Sequence, residues 1–130
     1  MYGFSVQVDM AFEQAIDRVT EALKTEGFGV LSDIDVRATL KSKLGVEIRP
    51  YRILGACNPS LANQALDAEP DIGLLLPCNV VVREDDLGKT IVAFMDPKAV
   101  LDLVDNPVVP ALASEVRERL DRVKESLVGA

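Results

Sequence analysis

The chain has 130 residues, 48% of them hydrophobic, and its 14 basic and 21 acidic residues give a formal net charge of −7. This length is ordinary for a single domain that buries its own core, and the acidic balance argues against a general affinity for nucleic acid or an anionic membrane surface. The chain contains no histidine, which excludes Ser/His/Asp and Cys/His catalytic sites and histidine-based zinc sites within one chain.

The sequence also predicts where the protein is found. No apolar run approaches the roughly 18 residues that a membrane-spanning helix needs, and residues 1–4 lack the basic and apolar regions of a signal peptide. We therefore expect a cytoplasmic protein without a membrane partner. In that compartment its two cysteines, Cys57 and Cys78, are expected to be free thiols rather than a structural disulfide.

The beginning of the chain has the pattern of a strand, a helix and a second strand. Residues 4–8 alternate apolar and polar side chains, as in a strand with one buried face. Asp9 is then predicted to cap a helix that ends at Gly27. Residues 28–36 alternate again and predict the second strand. The apolar stripe of the helix comprises Phe12, Ala15, Ile16, Val19, Ala22 and Leu23.

Basic residues are concentrated in the segment that follows. Residues 37–44 predict a short helix that ends at Gly45, and residues 37–52 contain a single acidic residue, Glu47. A solvated helix face explains such a run of charge. The alternative is an anion-binding rim. The basic residues of the segment are Arg37, Lys41, Lys43, Arg49 and Arg52.

A third strand is predicted over residues 51–57, and a helix opens directly after it. The Asn58 side chain can accept a hydrogen bond from an early backbone N–H, and Pro59 at the first helical position removes no needed donor. This helix is predicted to reach about residue 68. The same opening recurs at residues 96–97 and 106–107, as Asp-Pro and Asn-Pro, so it is a structural device before it is a functional signature.

The remaining segments predict two more strands and a long helix. Residues 74–83 are apolar on both faces, so this strand needs cover on both sides. Pro77 cannot donate a ladder hydrogen bond, which predicts an edge or a bulge at that point. A turn at 85–88 leads into a strand over residues 90–95. The final helix carries an apolar stripe of Val109, Leu112, Val116, Leu120, Val123 and Leu127.

Together these elements predict a single α+β domain over residues 1–130, with two layers in the order β-α-β(4)-α. The sheet is expected to be mainly antiparallel, with the helices packed on one face. The other face is predicted to carry Leu75, Val81, Val92 and Phe94. Since soluble monomers seldom expose a large apolar patch, we expect a second copy of the chain to cover it in a homodimer.

Several of these segments resemble the domain-of-unknown-function family 302. The resemblance rests on Gly27-Phe28 after the first helix, on residues 55–59 (Gly-Ala-Cys-Asn-Pro), on residues 73–82 (Gly-Leu-Leu-Leu-Pro-Cys-Asn-Val-Val-Val) and on the late Asp96-Pro97. It covers nearly the whole chain. The resemblance implies the β-α-β(4)-α fold, and it implies no established activity, cofactor or catalytic residue.

Cys57 is the candidate nucleophile. A thiol beside a helix N-terminus is next to unpaired N–H groups and the positive end of the helix dipole, which can lower its pKa. The alternative is a small apolar residue that fills space beneath the helix. Cys78 is predicted to be a core residue. If the third and fourth strands are neighbours, the two sulfurs approach each other, and two thiolates without histidine form an incomplete zinc set or a site for monovalent copper.

A second candidate site combines the helix opening at Asn58 with Arg52 and the basic segment. Helix N-termini bind anions through free N–H groups, and arginine can add charge-assisted hydrogen bonds. We therefore assign Arg52, Cys57 and Asn58 as candidate ligand-binding residues. The carboxylate pair Asp33 and Asp35 is interpreted as a solvated strand face rather than as a magnesium or acid/base site.

These observations leave three functions open. The leading hypothesis is a small dimeric cytoplasmic protein that binds a small molecule, an anion or a partner without chemistry of its own. The alternatives are a redox, nucleophilic or soft-metal site at Cys57, with or without Cys78, and a purely structural or assembly domain. The cofactor, if any, is not specified by the sequence.

Overall fold

The computed structural model describes residues 1–128, and within them lie five strands and five α-helices. The strands are β1 (Gly3–Val8), β2 (Gly29–Asp35), β3 (Tyr51–Cys57), β4 (Cys78–Glu84) and β5 (Thr90–Met95). The helices are α1 (Phe12–Thr25), α2 (Val36–Leu44), α3 (Pro59–Ala68), α4 (Pro97–Leu101) and α5 (Val109–Leu127), and a 3-10 helix spans Pro70–Leu75.

The five strands form one sheet in the order β1-β5-β4-β3-β2, and every neighbouring pair is antiparallel. The long helices α1 and α5 pack on one face of this sheet. The core lies between the two layers and contains apolar residues from both helices and from all five strands. The mixed α/β fold with a mainly antiparallel sheet is thereby confirmed.

The apolar stripes of the two long helices form the helical side of the core. The buried residues of α1 are Ala15, Ile16, Val19, Ala22 and Leu23, and those of α5 include Val116, Leu120, Val123 and Leu127. Recurrence every three or four residues places each set on one side of its helix. A second, smaller cluster lies under α3, α4 and the beginning of α5, and it consists of Ala65, Ile72, Leu101, Val109 and Ala113.

The assignment of β5 to the two faces of the sheet differs from the sequence prediction. Val92 and Phe94 point toward the helices and are fully buried, so they do not belong to the uncovered face. In the register, Phe94 pairs with Val80 and Phe4, and all three side chains lie on the core side. Because side chains alternate along a strand, Ile91, Ala93 and Met95 face away from the helices.

Residues 74–77 were predicted as the beginning of a strand, and this prediction is wrong. Leu74 and Leu75 end the 3-10 helix, and β4 begins only at Cys78. Leu75 therefore does not belong to the second face of the sheet. Pro77 precedes β4, which lies at the centre of the sheet rather than at an edge, so no ladder hydrogen bond is lost.

The helix openings largely follow the predicted caps. The Oδ1 atom of Asn58 accepts a hydrogen bond from the Leu61 amide at 3.2 Å, and that of Asp96 accepts from the Lys98 amide at 2.9 Å. Asn106 likewise accepts from the Val108 amide at 3.0 Å, in the turn before α5. Helix α1 differs: it is preceded by Ala11 without a side-chain cap, so Asp9 does not cap it.

Among residues 1–128, none of the helices is both long enough and apolar enough to cross a bilayer.

Candidate functional site

The candidate site lies where β3 ends and α3 begins. Cys57 is the last residue of the strand, Asn58 caps the helix, and Pro59 is its first residue. Asn58 is only 8% exposed, and its capping bond to the Leu61 amide fixes the side chain in place. Local sequence thus determines the geometry here, because the cap and the proline together specify where the helix starts.

Two distant segments meet the start of α3. The backbone carbonyl of Glu26, just after α1, accepts a hydrogen bond from Nη1 of Arg119 at 2.9 Å and a longer one from Nδ2 of Asn58 at 3.4 Å. Gly27 follows with a φ of +84°, and a Cβ atom at this position would lie 2.9 Å from Nδ2 of Asn58. Glycine is therefore required here both by its left-handed conformation and by the close approach of Asn58.

Arg119 was not predicted as a residue of this region. It lies outside the apolar stripe of α5, and its remaining donors bind Glu115 one turn earlier, at 3.1 and 3.2 Å. A glutamate four residues before an arginine predicts an ion pair on the helix surface. This spacing gives no indication that Arg119 also binds a carbonyl 93 residues away in the sequence.

Beneath α3 lies a cavity of about 50 Å³. Its walls come from the ends of β3 and β4, from α3, and from α4 and α5. They contain no charged residue, and Asn58 is the one wall residue with a side-chain nitrogen or oxygen. The wall residues are Phe28, Ala56, Cys57, Asn58, Leu61, Ala62, Ala65, Leu76, Pro77, Cys78, Leu101, Leu112 and Val116.

Both thiols contribute to the wall of this cavity. Strands β3 and β4 are neighbours, and Ala56 is paired with Cys78, so the two cysteines lie on adjacent strands. Neither forms a disulfide; Cys57 is half-buried and Cys78 is 5% exposed. Burial raises the pKa of the Cys78 thiol to about 12, and the neighbouring Cys57 contributes in the same direction. Cys78 is therefore a neutral, inert thiol near pH 7.

A metal site at the two thiols would need ligands from outside this region. In residues 1–128, no group of three or more histidine, cysteine, aspartate or glutamate side chains is arranged to hold a metal ion. Zinc in proteins is almost always held by four ligands. Cys57 and Cys78 alone supply two at most, and the cavity wall offers no carboxylate to complete the set.

The structure does not bring Arg52 to Asn58. These residues lie at opposite ends of β3, and five residues of extended chain separate Arg52 from Cys57 by roughly 17 Å. Arg52 instead donates two hydrogen bonds to the Asp33 carboxylate, at 2.7 and 2.5 Å. The hydrogen bond from Arg52 lowers the pKa of Asp33. Asp35 caps α2 by accepting from the Ala38 amide at 2.9 Å, so both aspartates have structural roles.

The basic segment is largely neutralised by nearby carboxylates. Lys41 and Arg37 lie 3.1 and 4.0 Å from the Glu47 carboxylate, and Arg49 lies 2.7 Å from that of Glu84. These contacts support the interpretation of this segment as a solvated surface. Together with Asp33 on Arg52, three carboxylates face the five basic residues, which reduces the positive charge left for an anion-binding rim.

The fold and the site define a class: a two-layer α+β domain with a five-stranded antiparallel sheet and a small apolar cavity lined by two thiols. The family model described as "Domain of unknown function DUF302" matches residues 4–127, and the chain belongs to this family. The resemblance seen in the sequence is thereby confirmed.

A solved structure agrees with this assignment over the whole fold. It is the crystal structure of the uncharacterized conserved protein DUF302 from Bacillus stearothermophilus, with 30% sequence identity, a TM-score of 0.90 and 98% coverage of both chains. No curated protein shows a significant match to the chain. The comparisons therefore establish the family and the fold, and they bring no established activity with them.

Proposed function

We propose that the protein binds a small, uncharged and mainly apolar ligand in the cavity beneath α3. The observation that carries this proposal is the chemistry of the wall, which is hydrocarbon and sulfur apart from Asn58. Asn58 already uses its Oδ1 atom for the helix cap and its Nδ2 atom for the Glu26 carbonyl. A charged ligand would find no opposite charge in the wall, and the free energy needed to remove it from water would prevent binding.

The volume of the cavity limits the ligand to a few atoms. An apolar cavity of about 150 Å³ accommodates benzene or xenon in another protein, and the cavity here is about 50 Å³. We therefore expect a ligand of roughly two or three non-hydrogen atoms. At the best efficiency of about 1.5 kcal/mol per atom, its dissociation constant would be roughly half a millimolar or weaker.

A titration of the ¹⁵N-labelled protein with dimethyl sulfide and, separately, with acetate tests the proposal. The two probes are similar in size and differ in charge. We expect dimethyl sulfide to shift the amide signals of cavity residues such as Ala56, Leu61 and Val116, and acetate to leave them unchanged. Equal shifts with acetate, or no shifts with either probe, would contradict an uncharged ligand in this cavity.

A matched pair of variants on α3 locates the binding. Ala62→Val adds two methyl groups at the cavity wall, and we expect it to abolish the shifts caused by dimethyl sulfide. Asn63→Val places the same β-branched residue on the exposed side of the same helix, and the shifts should persist. If Ala62→Val binds the probe as the natural chain does, the ligand occupies another site.

The position of Cys57 supports a second candidate function, that of a nucleophilic thiol. Cys57 is the more exposed of the two thiols, it stands at the start of α3, and it borders a cavity that a small reactant can occupy. Its thiolate would attack a small electrophile held in the cavity. Cys78 would stay protonated and take no part, because burial disfavours its thiolate.

The rate of reaction with methyl methanethiosulfonate tests this second function. The Cys57 sulfur would displace methanesulfinate and form a methyl disulfide, which mass spectrometry detects. We expect one modification per chain, absent in Cys57→Ala and retained in Cys78→Ala, and faster at pH 7 than in N-acetylcysteine. A rate equal to or below that of the model thiol would exclude Cys57 as an activated nucleophile.

We further propose a cytoplasmic location for this function. Both cysteines are free in the structure, and free thiols persist in the reducing environment of the cytoplasm. Fractionation of cells that produce the natural chain, with detection by antibody, tests this location.

A further inference from the structure

The sheet face opposite α1 and α5 consists of three rows of side chains, which we call the open face. The central row crosses all five strands and contains Ser5, Ala93, Val81, Ile53 and Ile34. The bulky row contains Gln7, Ile91, Arg83 and Tyr51. The small row contains Gly3, Met95, Asn79, Gly55 and Ser32.

Met95 packs partly against the core, and none of the other residues in the three rows belongs to either hydrophobic cluster. The central row is nevertheless mainly apolar, and Ile34 at its end is 49% exposed. Of the fourteen positions in the three rows, Arg83 is the one charged residue, although 27% of the whole chain is charged. Depletion of charge is what distinguishes the centre of a protein interface from ordinary surface.

We propose that the open face binds the same face of a second copy of the chain, about a two-fold axis that runs along the central row. In such a dimer two sheets pack face to face, as in a β-sandwich, about 10 Å apart. The same patch serves both copies, which is the usual arrangement in homodimers. The proposal does not depend on the ligand cavity, which lies beneath α3 at the ends of β3 and β4 and has Pro77 in common with the surface beside Gly55.

The two outer rows are complementary under this axis. The rotation keeps each strand opposite itself and exchanges the bulky row with the small row. Arg83 would then lie opposite the partner's Asn79, and Ile91 opposite the partner's Met95. Tyr51 would lie over the partner's Gly55, where Ser32 and Pro77 form the surface. Each large side chain of the bulky row would thus contact the smaller or more flexible residue that the same strand of the partner contributes to the small row.

The shape of the open face supports the same arrangement. A groove of about 470 Å³ lies along the small row and the central row on the β1, β5 and β4 side. Ile91 and Arg83 of a second copy would enter this groove. The groove residues on the open face are Gly3, Ser5, Asn79, Val81, Ala93 and Met95, and Met1 and Tyr2 form its outer wall.

Charge disfavours the alternative axis, which runs parallel to the strands. Because β4 is the central strand of the five, a rotation about that axis would place Arg83 against the partner's Arg83. Like charges that face each other in an interface weaken it. Among residues 1–128, Arg83 takes part in no ion pair within its own chain. Its guanidinium is therefore available to the partner's Asn79 amide oxygen.

Analytical ultracentrifugation of the natural chain and of Val81→Asp tests the interface. We expect the natural chain to sediment with twice the 14.1 kDa mass of one chain at 100 µM. Val81 is the centre of the open face, so Val81→Asp would place two carboxylates together and weaken the dimer at least about 100-fold. Circular dichroism checks that the variant is folded. A natural chain that is monomeric at 100 µM, or a folded Val81→Asp that still dimerises equally well, overturns the proposal.

Asn79→Asp tests the axis and does not depend on disrupting the core. It would create two ion pairs across the proposed axis, each between Arg83 of one copy and the introduced carboxylate of the other, and we expect the dissociation constant to fall roughly 3- to 30-fold at low salt. Within one chain the side chains at positions 79 and 83 are about 13 Å apart along β4, and the added negative charge would otherwise oppose association. A dimer weakened by Asn79→Asp would overturn the proposed axis, and loss of the gain in Asn79→Asp/Arg83→Gln would confirm its origin.

Discussion

Phe94→Ala is expected to lower the free energy of unfolding by about 3–5 kcal/mol, the range for removal of a buried aromatic side chain. Phe94 is 1% exposed, and its ring stacks on that of Phe4 with 5.3 Å between the centroids. The Arg117 guanidinium lies over the Phe4 ring, 3.9 Å from its centroid. The loss would remove a large share of the roughly 5–15 kcal/mol that usually stabilises a domain. Urea unfolding followed by circular dichroism measures it.

The adjacent residue supplies the control for this prediction. Met95 is half-buried and packs only partly against the core. Met95→Ala should therefore cost about 1–2 kcal/mol at 1 µM protein, a concentration at which a dimer contributes least to the measured stability. The loss caused by Phe94→Ala should be the same at 1 and 50 µM. Equal losses for the two variants at 1 µM would mean that the two faces of β5 are assigned the wrong way round.

We expect the protein to lose stability between about pH 9 and pH 12 because Cys78 is held neutral in the fold. The ordinary pKa of its thiol is 9.0, and burial raises it to about 12. Below pH 9 the thiol is neutral in both states, so the full stability is present. As the pH rises toward 12, the unfolded chain releases the proton first, and stability falls by about 1.4 kcal/mol per pH unit, or roughly 4 kcal/mol in all.

Urea unfolding at pH 8.0, 9.5 and 10.5, in the presence of a reducing agent, measures this loss. Cys78→Ala should remove about 2 kcal/mol of the decline between pH 8.0 and 10.5, whereas Cys57→Ala should retain it. Apart from the two thiols, the three proteins share every ionisable group, so the differences between them isolate the contribution of Cys78. If Cys78→Ala declines as steeply as the natural chain, burial of Cys78 is not the cause.

The parts of the fold that could be predicted from the sequence are those specified by neighbouring residues. The openings at Asn58 and Asp96 need only a side-chain acceptor followed by proline, and both caps are present. The stripe of α5 follows from a helical period that is unbroken over its whole length. Such features depend on local geometry, which one stretch of sequence contains in full.

The faces of β5 could not be assigned in this way. Ile91, Ala93 and Met95 form one apolar set, and Val92 with Phe94 forms another, so the alternation does not say which set meets the helices. The choice depends on pairing with Phe4, which is 90 residues away in the sequence. The run Leu74–Leu76 was assigned to a strand for a related reason. Ile72 is buried in the second cluster, and it lies within the 3-10 helix Pro70–Leu75, which takes up most of this run.

The structure brings three of the candidate residues together and separates Arg52 from them. Cys57, Asn58 and Cys78 do border one cavity, because β3 and β4 are neighbours and α3 starts where the Asn-Pro pair places it. Arg52 was included because it is basic and close in sequence, but an extended strand carries it away from Asn58. Arg119 was missed because its approach depends on the packing of α5 against the end of α1.

The carbonyl of Glu26 accepts hydrogen bonds from residues 58 and 119, which has a consequence for synthesis of the chain on the ribosome. A chain emerges with its N-terminus first, so Glu26 and Asn58 are present long before Arg119. The cavity is likewise incomplete until late in synthesis, because two of its wall residues, Leu112 and Val116, belong to the last helix. In a nascent chain that still lacks α5, the cavity would therefore be open on the side that Leu112 and Val116 close, and the wall around the two thiols would be complete only when that helix docks.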